Sequence, residues 1–105
     1  MRIIGGYLKG KKISFIKTLS TRPLRDFVKE SLFNIIHHSN FFKVNIKNSV
    51  ILDLYSGIGS FGIECLSREA KSVTFVEKNS QALEILRENL KKLSLEKKVF
   101  LYPYE

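Results

Sequence analysis

The sequence predicts an α/β fold: a parallel sheet of three core strands, preceded by a basic β-hairpin and a helix. Two observations lead to this prediction. From residue 50 onward, short apolar runs alternate with segments of helical periodicity, which is typical of a parallel sheet with right-handed crossovers. The turn after the first apolar run has the glycine spacing GxGxxG of Rossmann-like folds. We therefore divide the chain into a hairpin (1–20), a helix with its linker (21–49) and a sheet region (50–105).

The first segment predicts a basic hairpin. Two β-prone runs, 2–4 and 12–16, flank two glycines and a Lys-Gly-Lys turn. Residues 1–29 carry eight basic residues and one acidic residue, so they hold almost all of the net charge of +8. Such a concentration favours a polyanionic partner, because phosphates release counterions when lysine and arginine neutralise them. A solvated surface without a partner is the alternative.

The second segment predicts a helix. Ser20 or Thr21 is a suitable N-cap, and Pro23 is tolerated in a first helical turn. Apolar residues at helical spacing predict its buried stripe: Val28, Leu32, Ile35 and Ile36. His37 and His38 follow at the helix end, where we interpret them as terminal and loop residues rather than metal ligands.

The sheet region predicts three strands and two helices. The strands are expected at 50–54, 72–76 and 99–102, and the helices at 61–68 and 80–93. Asn79 is the expected N-cap of the second helix. The leucines at helical spacing form its buried side: Leu83, Leu86, Leu90 and Leu93.

Composition excludes several classes of protein. With 44% hydrophobic and 11% aromatic residues, the chain is able to bury a core and is not disordered by composition. The only cysteine, Cys65, excludes an internal disulfide, and we expect it to be a buried apolar residue within a helix. No apolar run approaches the length of a membrane span, and the N-terminus lacks the core of a signal peptide. We therefore expect a cytoplasmic protein.

The glycine turn predicts a nucleotide-bearing ligand. Gly57, Gly59 and Gly62 allow the chain to approach a ligand closely, and Glu77 stands at the end of the next strand, twenty residues after the first glycine. A carboxylate at this place is suited to hold the ribose hydroxyls. The strand before the turn and the helix after it complete the pattern.

Asp53 indicates which nucleotide is bound. Nicotinamide and flavin cofactors place a pyrophosphate at the helix N-terminus, which disfavours a fixed negative charge at the strand tip. Asp53 instead suits a ligand with a positive amino group, such as S-adenosyl-L-methionine. A simpler role is to cap the backbone amides of the loop, and the two roles are compatible. A nicotinamide-dependent oxidoreductase and a non-catalytic RNA-binding module stay open as alternatives.

The stretch LDLYSGIGSFGIECLSREAKSVTFVEKN resembles the cofactor half of the RsmD-type methyltransferases, which methylate the exocyclic amine of a guanine in small-subunit (16S) ribosomal RNA. The upstream stretch MRIIGGYLKGKKI…STRPLRDFVKESLFNII is similar to the N-terminal region of the same family. The resemblance covers essentially the whole chain. It implies the first half of a Rossmann-like fold that uses S-adenosyl-L-methionine, and ribosomal RNA or the small-subunit ribosomal particle as partner.

The resemblance also implies the site residues. The implied cofactor site comprises Asp53, Tyr55, Gly57, Gly59 and Glu77, with Thr21 and Arg22 approaching from the preceding loop. Within it, Asp53 and the two glycines would cradle the methionine part and Glu77 would hold the ribose, whereas Gly62 permits tight helix packing. The residues expected to contact RNA are Lys9, Lys11, Lys12, Arg22 and Arg25. No role is implied for Glu64.

The catalytic element of the family has no counterpart in the sequence. The reaction needs Asn or Asp, two prolines and an aromatic residue, which orient the amine and stack on the base. Pro23 and Pro103 are not adjacent, and no Asn or Asp precedes the final YPYE, so we predict no catalytic residue. Strand 50–54, central in the family, would keep an open edge. We expect this chain alone to be inactive and unstable or oligomeric, as a truncated or split protein or one complemented by a C-terminal fragment.

Overall fold

The computed structural model describes residues 1–15, 26–38 and 45–103. The elements are α1 (Asp26–His38), β1 (Val50–Leu54), α2 (Ser60–Ser67), β2 (Ser72–Val76), α3 (Ser80–Lys92), a 3-10 helix (Glu96–Lys98) and β3 (Val99–Tyr102). The three strands have the predicted bounds, and the two helices of the sheet region differ from the prediction by one residue. Five residues that the sequence singled out lie outside the described residues: Ser20, Thr21, Arg22, Pro23 and Arg25.

The sheet is parallel, as predicted, with the strand order β1-β2-β3. The register pairs Leu52 with Thr74 and Thr74 with Phe100. One edge of β1 therefore pairs with no strand among the described residues. This is the open edge that the sequence led us to expect.

The core lies on one face of the sheet, where α2 and α3 pack. Val73 and Phe75 of β2 are fully buried beneath Leu66 and Leu86 of the two helices. Cys65 is also buried, and burial raises the pKa of its thiol to about 12. The predicted leucines of α3 are buried, and Asn79 caps the helix by accepting from the amide of Ala82 at 2.9 Å. No helix in the described ranges is long and apolar enough to cross a membrane.

Among the described residues nothing covers the opposite face of the sheet, although a continuous apolar run such as that of β1 is typical of a strand buried on both faces. Val50, Leu52 and Leu54 are 70%, 61% and 57% exposed, and Phe100 of β3 is 61% exposed. Successive side chains of a strand point to opposite faces, so the register places these four residues on one surface. Parallel sheets are normally covered on both faces. In the part of the chain that the structure describes, the apolar run of β1 is therefore covered on one face only.

The N-terminal hairpin is present in a reduced form. A single antiparallel bridge joins Arg2 to Lys12, and the amide of Ile3 donates to the carbonyl of Lys11 at 2.9 Å. The hairpin packs on the helices of the sheet region, because the Tyr7 amide donates to the carbonyl of Ser67 at 2.9 Å. The basic segment is thus attached to the last residue of α2.

The buried side of α1 differs from the predicted stripe. Lys29 and Phe33 are fully buried, whereas Val28 and Ile35 are 45% and 53% exposed. The reason is electrostatic: the Lys29 ammonium lies 3.3 Å from a carboxylate oxygen of Glu64, and both side chains are inaccessible to solvent. A hydrophobic pattern does not count lysine as a core residue, so the prediction is only partly right: the other two residues of the predicted stripe are half-buried.

Candidate functional site

The turn between β1 and α2 lies at the carboxyl end of the parallel strands, where open α/β sheets bind ligands. Tyr55, Gly57 and Gly59 have left-handed backbone conformations, with φ of 55°, 57° and 90°. The Gly59 amide donates to the carbonyl of Ser56 at 2.9 Å, and the Ser56 amide donates to the carbonyl of Val76 at 3.0 Å. The turn is thereby fastened to the end of β2.

The three glycines of the motif have different reasons to be glycine. A Cβ on Gly59 would overlap the side chain of Leu86, and one on Gly62 would overlap the ring of Phe75. Packing requires glycine at position 62, as the family resemblance implied, whereas at Gly59 the left-handed backbone requires it as well. A Cβ on Gly57 would meet nothing within 4 Å. Gly57 therefore borders open space near the end of β1.

Glu77 links this turn to the end of β2. One carboxylate oxygen accepts from the amide of Gly57 at 2.7 Å, and the other accepts from the amide of Asn79 at 2.9 Å. Each oxygen keeps a second lone pair, with which a hydroxyl donor is able to bond. Glu77 thus lies where the sequence predicted a ribose-binding carboxylate.

Asp53 lies beneath the same turn and is 9% exposed. Its carboxylate accepts from the amide of Gly62 at 3.2 Å, in the first turn of α2, where the N-cap residue Gly59 has no side chain. The capping role considered from the sequence is therefore confirmed. Burial raises the pKa of Asp53 to about 6; the bond from Gly62 opposes this shift, and the negative charge of Glu77 adds to it. This site favours a cation and disfavours a phosphate.

Tyr55 is exposed at the strand tip, with 77% of its surface accessible. A left-handed conformation costs a residue with a Cβ about 1–2 kcal/mol, and Asn, Asp and Gly adopt it more readily than tyrosine. Such strain is concentrated at functional sites, because the surrounding structure has to maintain it. Asn48, Glu69 and Ser94 are left-handed as well, so the inclusion of Tyr55 in the cofactor site stays a prediction.

Sequence reasoning missed a second polar cluster. Glu64 accepts from the amides of Ile4 and Gly5, each at 2.9 Å, and from Arg68 at 2.8 Å. Lys29 donates to the carbonyl of Arg2 at 2.9 Å and to the hydroxyl of Ser60 at 3.3 Å. Burial lowers the pKa of Lys29, and the adjacent carboxylate partly opposes this.

This cluster joins the hairpin, α1 and the first residue of α2, next to the glycine turn. A signal for it was present, because Glu64 is the only charged residue of α2. Lys29 is one of the eight basic residues whose charge favours a polyanionic partner. Because its side chain is fully buried, Lys29 is not available to contact such a partner.

The predicted RNA-contacting lysines of the hairpin are not part of the glycine turn. Lys9, Lys11 and Lys12 are exposed on the hairpin, which contacts Ser67 at the end of α2. The structure brings Asp53, Gly57 and Glu77 together at the glycine turn. It places the three lysines on a different segment, the hairpin. No group of acidic, cysteine and histidine side chains in the described parts of the chain is arranged to hold a metal.

Comparison with known proteins gives a consistent match. The family described as conserved hypothetical protein 95 matches residues 1–102. A putative ribosomal RNA methyltransferase of Bacillus subtilis is 39% identical over 97% of the chain and 52% of its own length. Ribosomal RNA small subunit methyltransferase D of Haemophilus influenzae is 40% identical over 89% of the chain and 45% of its own length.

Solved structures agree with this match. A putative methyltransferase of Escherichia coli superposes on the whole chain and on 52% of its own, with a TM-score of 0.81 and 28% identity. A putative methylase of Haemophilus influenzae covers 99% of the chain and 51% of its own, with a TM-score of 0.71 and 32% identity. The chain spans about half the length of the curated relatives it matches.

Proposed function

Since the chain belongs to the ribosomal RNA methyltransferase family described as conserved hypothetical protein 95, we propose that it binds S-adenosyl-L-methionine and small-subunit ribosomal RNA. It would be the cofactor-binding part of an enzyme that methylates the exocyclic amine of a guanine. The predicted alternative of an oxidoreductase is weaker, since the first turn of α2 is capped by Asp53, which would repel a pyrophosphate.

One observation carries this proposal: two carboxylates, Asp53 and Glu77, flank a left-handed glycine turn that borders open space at Gly57. The ammonium of the amino-acid part of the cofactor would lie near Asp53. The ribose hydroxyls would bond to Glu77, whose oxygens already hold the turn in place. The bound cofactor supplies an electrophilic methyl group, and these residues bind and orient it.

The protein's own residues divide this work. Glu77 fixes the backbone at Gly57 and Asn79, so the turn is already shaped before a ligand binds. Tyr55, with its exposed side chain, directly follows the last residue of β1. Asp53, with its pKa raised to about 6, is mostly ionised at neutral pH and is able to attract a cation.

The part that binds the guanine has to come from further polypeptide. The sequence holds no adjacent prolines, and the family's amine-orienting motif needs two. Within residues 1–15, 26–38 and 45–103, an apolar sheet face and the β1 edge are uncovered, and the relatives carry about as much chain again. We propose that a complementing segment, equivalent to the other half of the relatives, covers this face and pairs with β1. Without it we expect no methyl transfer and a marginally stable or oligomeric chain.

Calorimetric titration with S-adenosylhomocysteine and with NAD tests the cofactor. We expect the first to bind and the second not to bind. Glu77→Ala should weaken binding by about tenfold or more, because hydrogen bonds to a charged group contribute about 1.5–3 kcal/mol.

Glu69→Ala is the matched control for this titration. Glu69 is 62% exposed and makes only a 3.9 Å surface pair with Lys47, so its removal should leave affinity unchanged. Binding of NAD in place of S-adenosylhomocysteine would support the oxidoreductase instead. RNA binding with neither cofactor bound would indicate a non-catalytic module.

A further inference from the structure

A basic surface on the hairpin continues onto α3. A groove of about 370 Å³ is lined by Lys11 and Lys12 of the hairpin and by Lys92 at the end of α3. A second groove of about 440 Å³ shares Lys12 and Lys92 and includes the exposed ring of Phe15. Among the described residues that line the two grooves, none is acidic. Two adjacent lysines of the hairpin and one lysine from a distant part of the sequence therefore lie on one surface.

A buried side chain fixes this arrangement. Asn89 is fully buried and bonds to the backbone of Ser14 in both directions: its oxygen accepts at 2.8 Å and its amide donates at 3.0 Å. Lys92 lies three residues further along the helix, with its ammonium 3.5 Å from the Ser14 hydroxyl. The end of α3 is thus held against the hairpin by an internal contact, and Lys92 shares the surface for that reason.

The neighbouring lysine of α3 has a different environment. Lys91 lines a separate groove with Glu84, Arg87 and Glu88, where acidic and basic side chains are mixed. Both lysines occupy the last turn of α3, so the helix dipole favours both to a similar extent. The dipole therefore explains why lysines occur there, but not why one of them faces the hairpin lysines.

We infer that Lys92 forms a phosphate-binding surface together with Lys11 and Lys12, and that its ligand is the phosphodiester backbone of RNA. The inference rests on the proposed function for the identity of the polyanion. Phe15 at the rim offers a ring on which an unpaired base is able to stack. None of the three lysines is among the residues proposed to hold the cofactor. Loss of this surface should therefore weaken RNA binding and leave cofactor binding unchanged.

Substitution of the two neighbouring lysines tests this inference. Binding of a small-subunit ribosomal RNA transcript is measured over a series of salt concentrations for the unaltered chain, Lys92→Gln and Lys91→Gln. One lost phosphate contact reduces the salt slope by about 0.7–0.9 and weakens binding roughly fivefold at about 0.1 M salt. We expect this change for Lys92→Gln and a much smaller one for Lys91→Gln. Lys92→Arg should retain binding.

Equal losses in the two glutamine variants would indicate that net charge alone attracts RNA, and would overturn the inference. An unchanged slope for Lys92→Gln would overturn it as well. Circular dichroism on each variant establishes that the fold is intact. The failure of the proposed function is distinguishable from the failure of this inference. If the unaltered chain does not bind S-adenosylhomocysteine, the proposed function is contradicted. The comparison of the lysine variants tests RNA binding only.

Discussion

Two carboxylate sites in this protein make the same kind of backbone contact but have different roles. Glu64 and Glu77 each accept two backbone amides from segments that they join. Glu64 is fully buried and is neutralised by Lys29 and Arg68. At the other site Asp53 and Glu77 are near enough for the charge of one to raise the pKa of the other. The Glu64 carboxylate is already neutralised by cationic side chains, so its contacts serve the structure. Asp53 and Glu77 lie together as two carboxylates, and such a pair is suited to bind a cation.

A substitution in the buried cluster around Glu64 should have the largest effect on stability. Lys29→Met leaves Glu64 buried with one cation fewer, and breaking a buried ion pair costs about 3–5 kcal/mol. The same substitution at the exposed pair, Lys47→Met, should cost below about 1 kcal/mol. Urea denaturation of both variants measures the difference. Similar free energies of unfolding would show that the buried cluster does not hold the hairpin and α1 in place.

The ligand-binding site should depend on pH in a defined direction. The folded-state pKa of Asp53 is about 6 against an ordinary 3.8, so the folded chain binds this proton more tightly than the unfolded chain. The stabilisation is fully present below about pH 4 and is lost as pH rises through 6. One pKa unit corresponds to about 1.4 kcal/mol, which gives a loss of about 3 kcal/mol.

Asp53→Asn provides the reference for this measurement, because an amide oxygen is still able to accept from Gly62 without titrating. Other carboxylates titrate in the same range, so the informative quantity is the difference in unfolding free energy between the two proteins. It should change by about 2.4 kcal/mol between pH 4 and pH 7, because the unfolded carboxyl is already partly ionised at pH 4. Parallel stability curves would contradict the assigned environment of Asp53.

The smallest effect concerns the strained residue of the turn. Tyr55→Gly should stabilise the fold by about 1 kcal/mol, because glycine adopts the left-handed conformation without strain. If the exposed ring contacts the cofactor, the same change weakens S-adenosylhomocysteine binding. Ser94→Gly, at another left-handed position, should leave affinity unchanged. Thermal denaturation and calorimetry together separate the two effects, and unaltered affinity in Tyr55→Gly would exclude the tyrosine from the site.

Sequence reasoning predicted the sheet well, because apolar runs and glycine turns are local signals. It placed Asp53 and Glu77 at the ends of their strands for the same reason. It failed at Lys29, since only the contact with Glu64 from a distant segment makes a buried lysine tolerable. It also failed to show that Leu52 is exposed. A continuous apolar run has the same sequence pattern whether one face of the strand is covered or both. The position of Lys92 beside the hairpin could not be predicted, because only the fold brings these distant segments together.

The most direct test of the central claim is proton release on ligand binding. At pH 6 about half of the Asp53 carboxyls carry a proton, and a cationic amino group bound beside them favours the ionised form. Titration with S-adenosylhomocysteine in buffers of different ionisation enthalpy should show release of up to about half a proton per ligand. Asp53→Asn should release none. Proton uptake, or equal release by both proteins, would contradict a cation at Asp53.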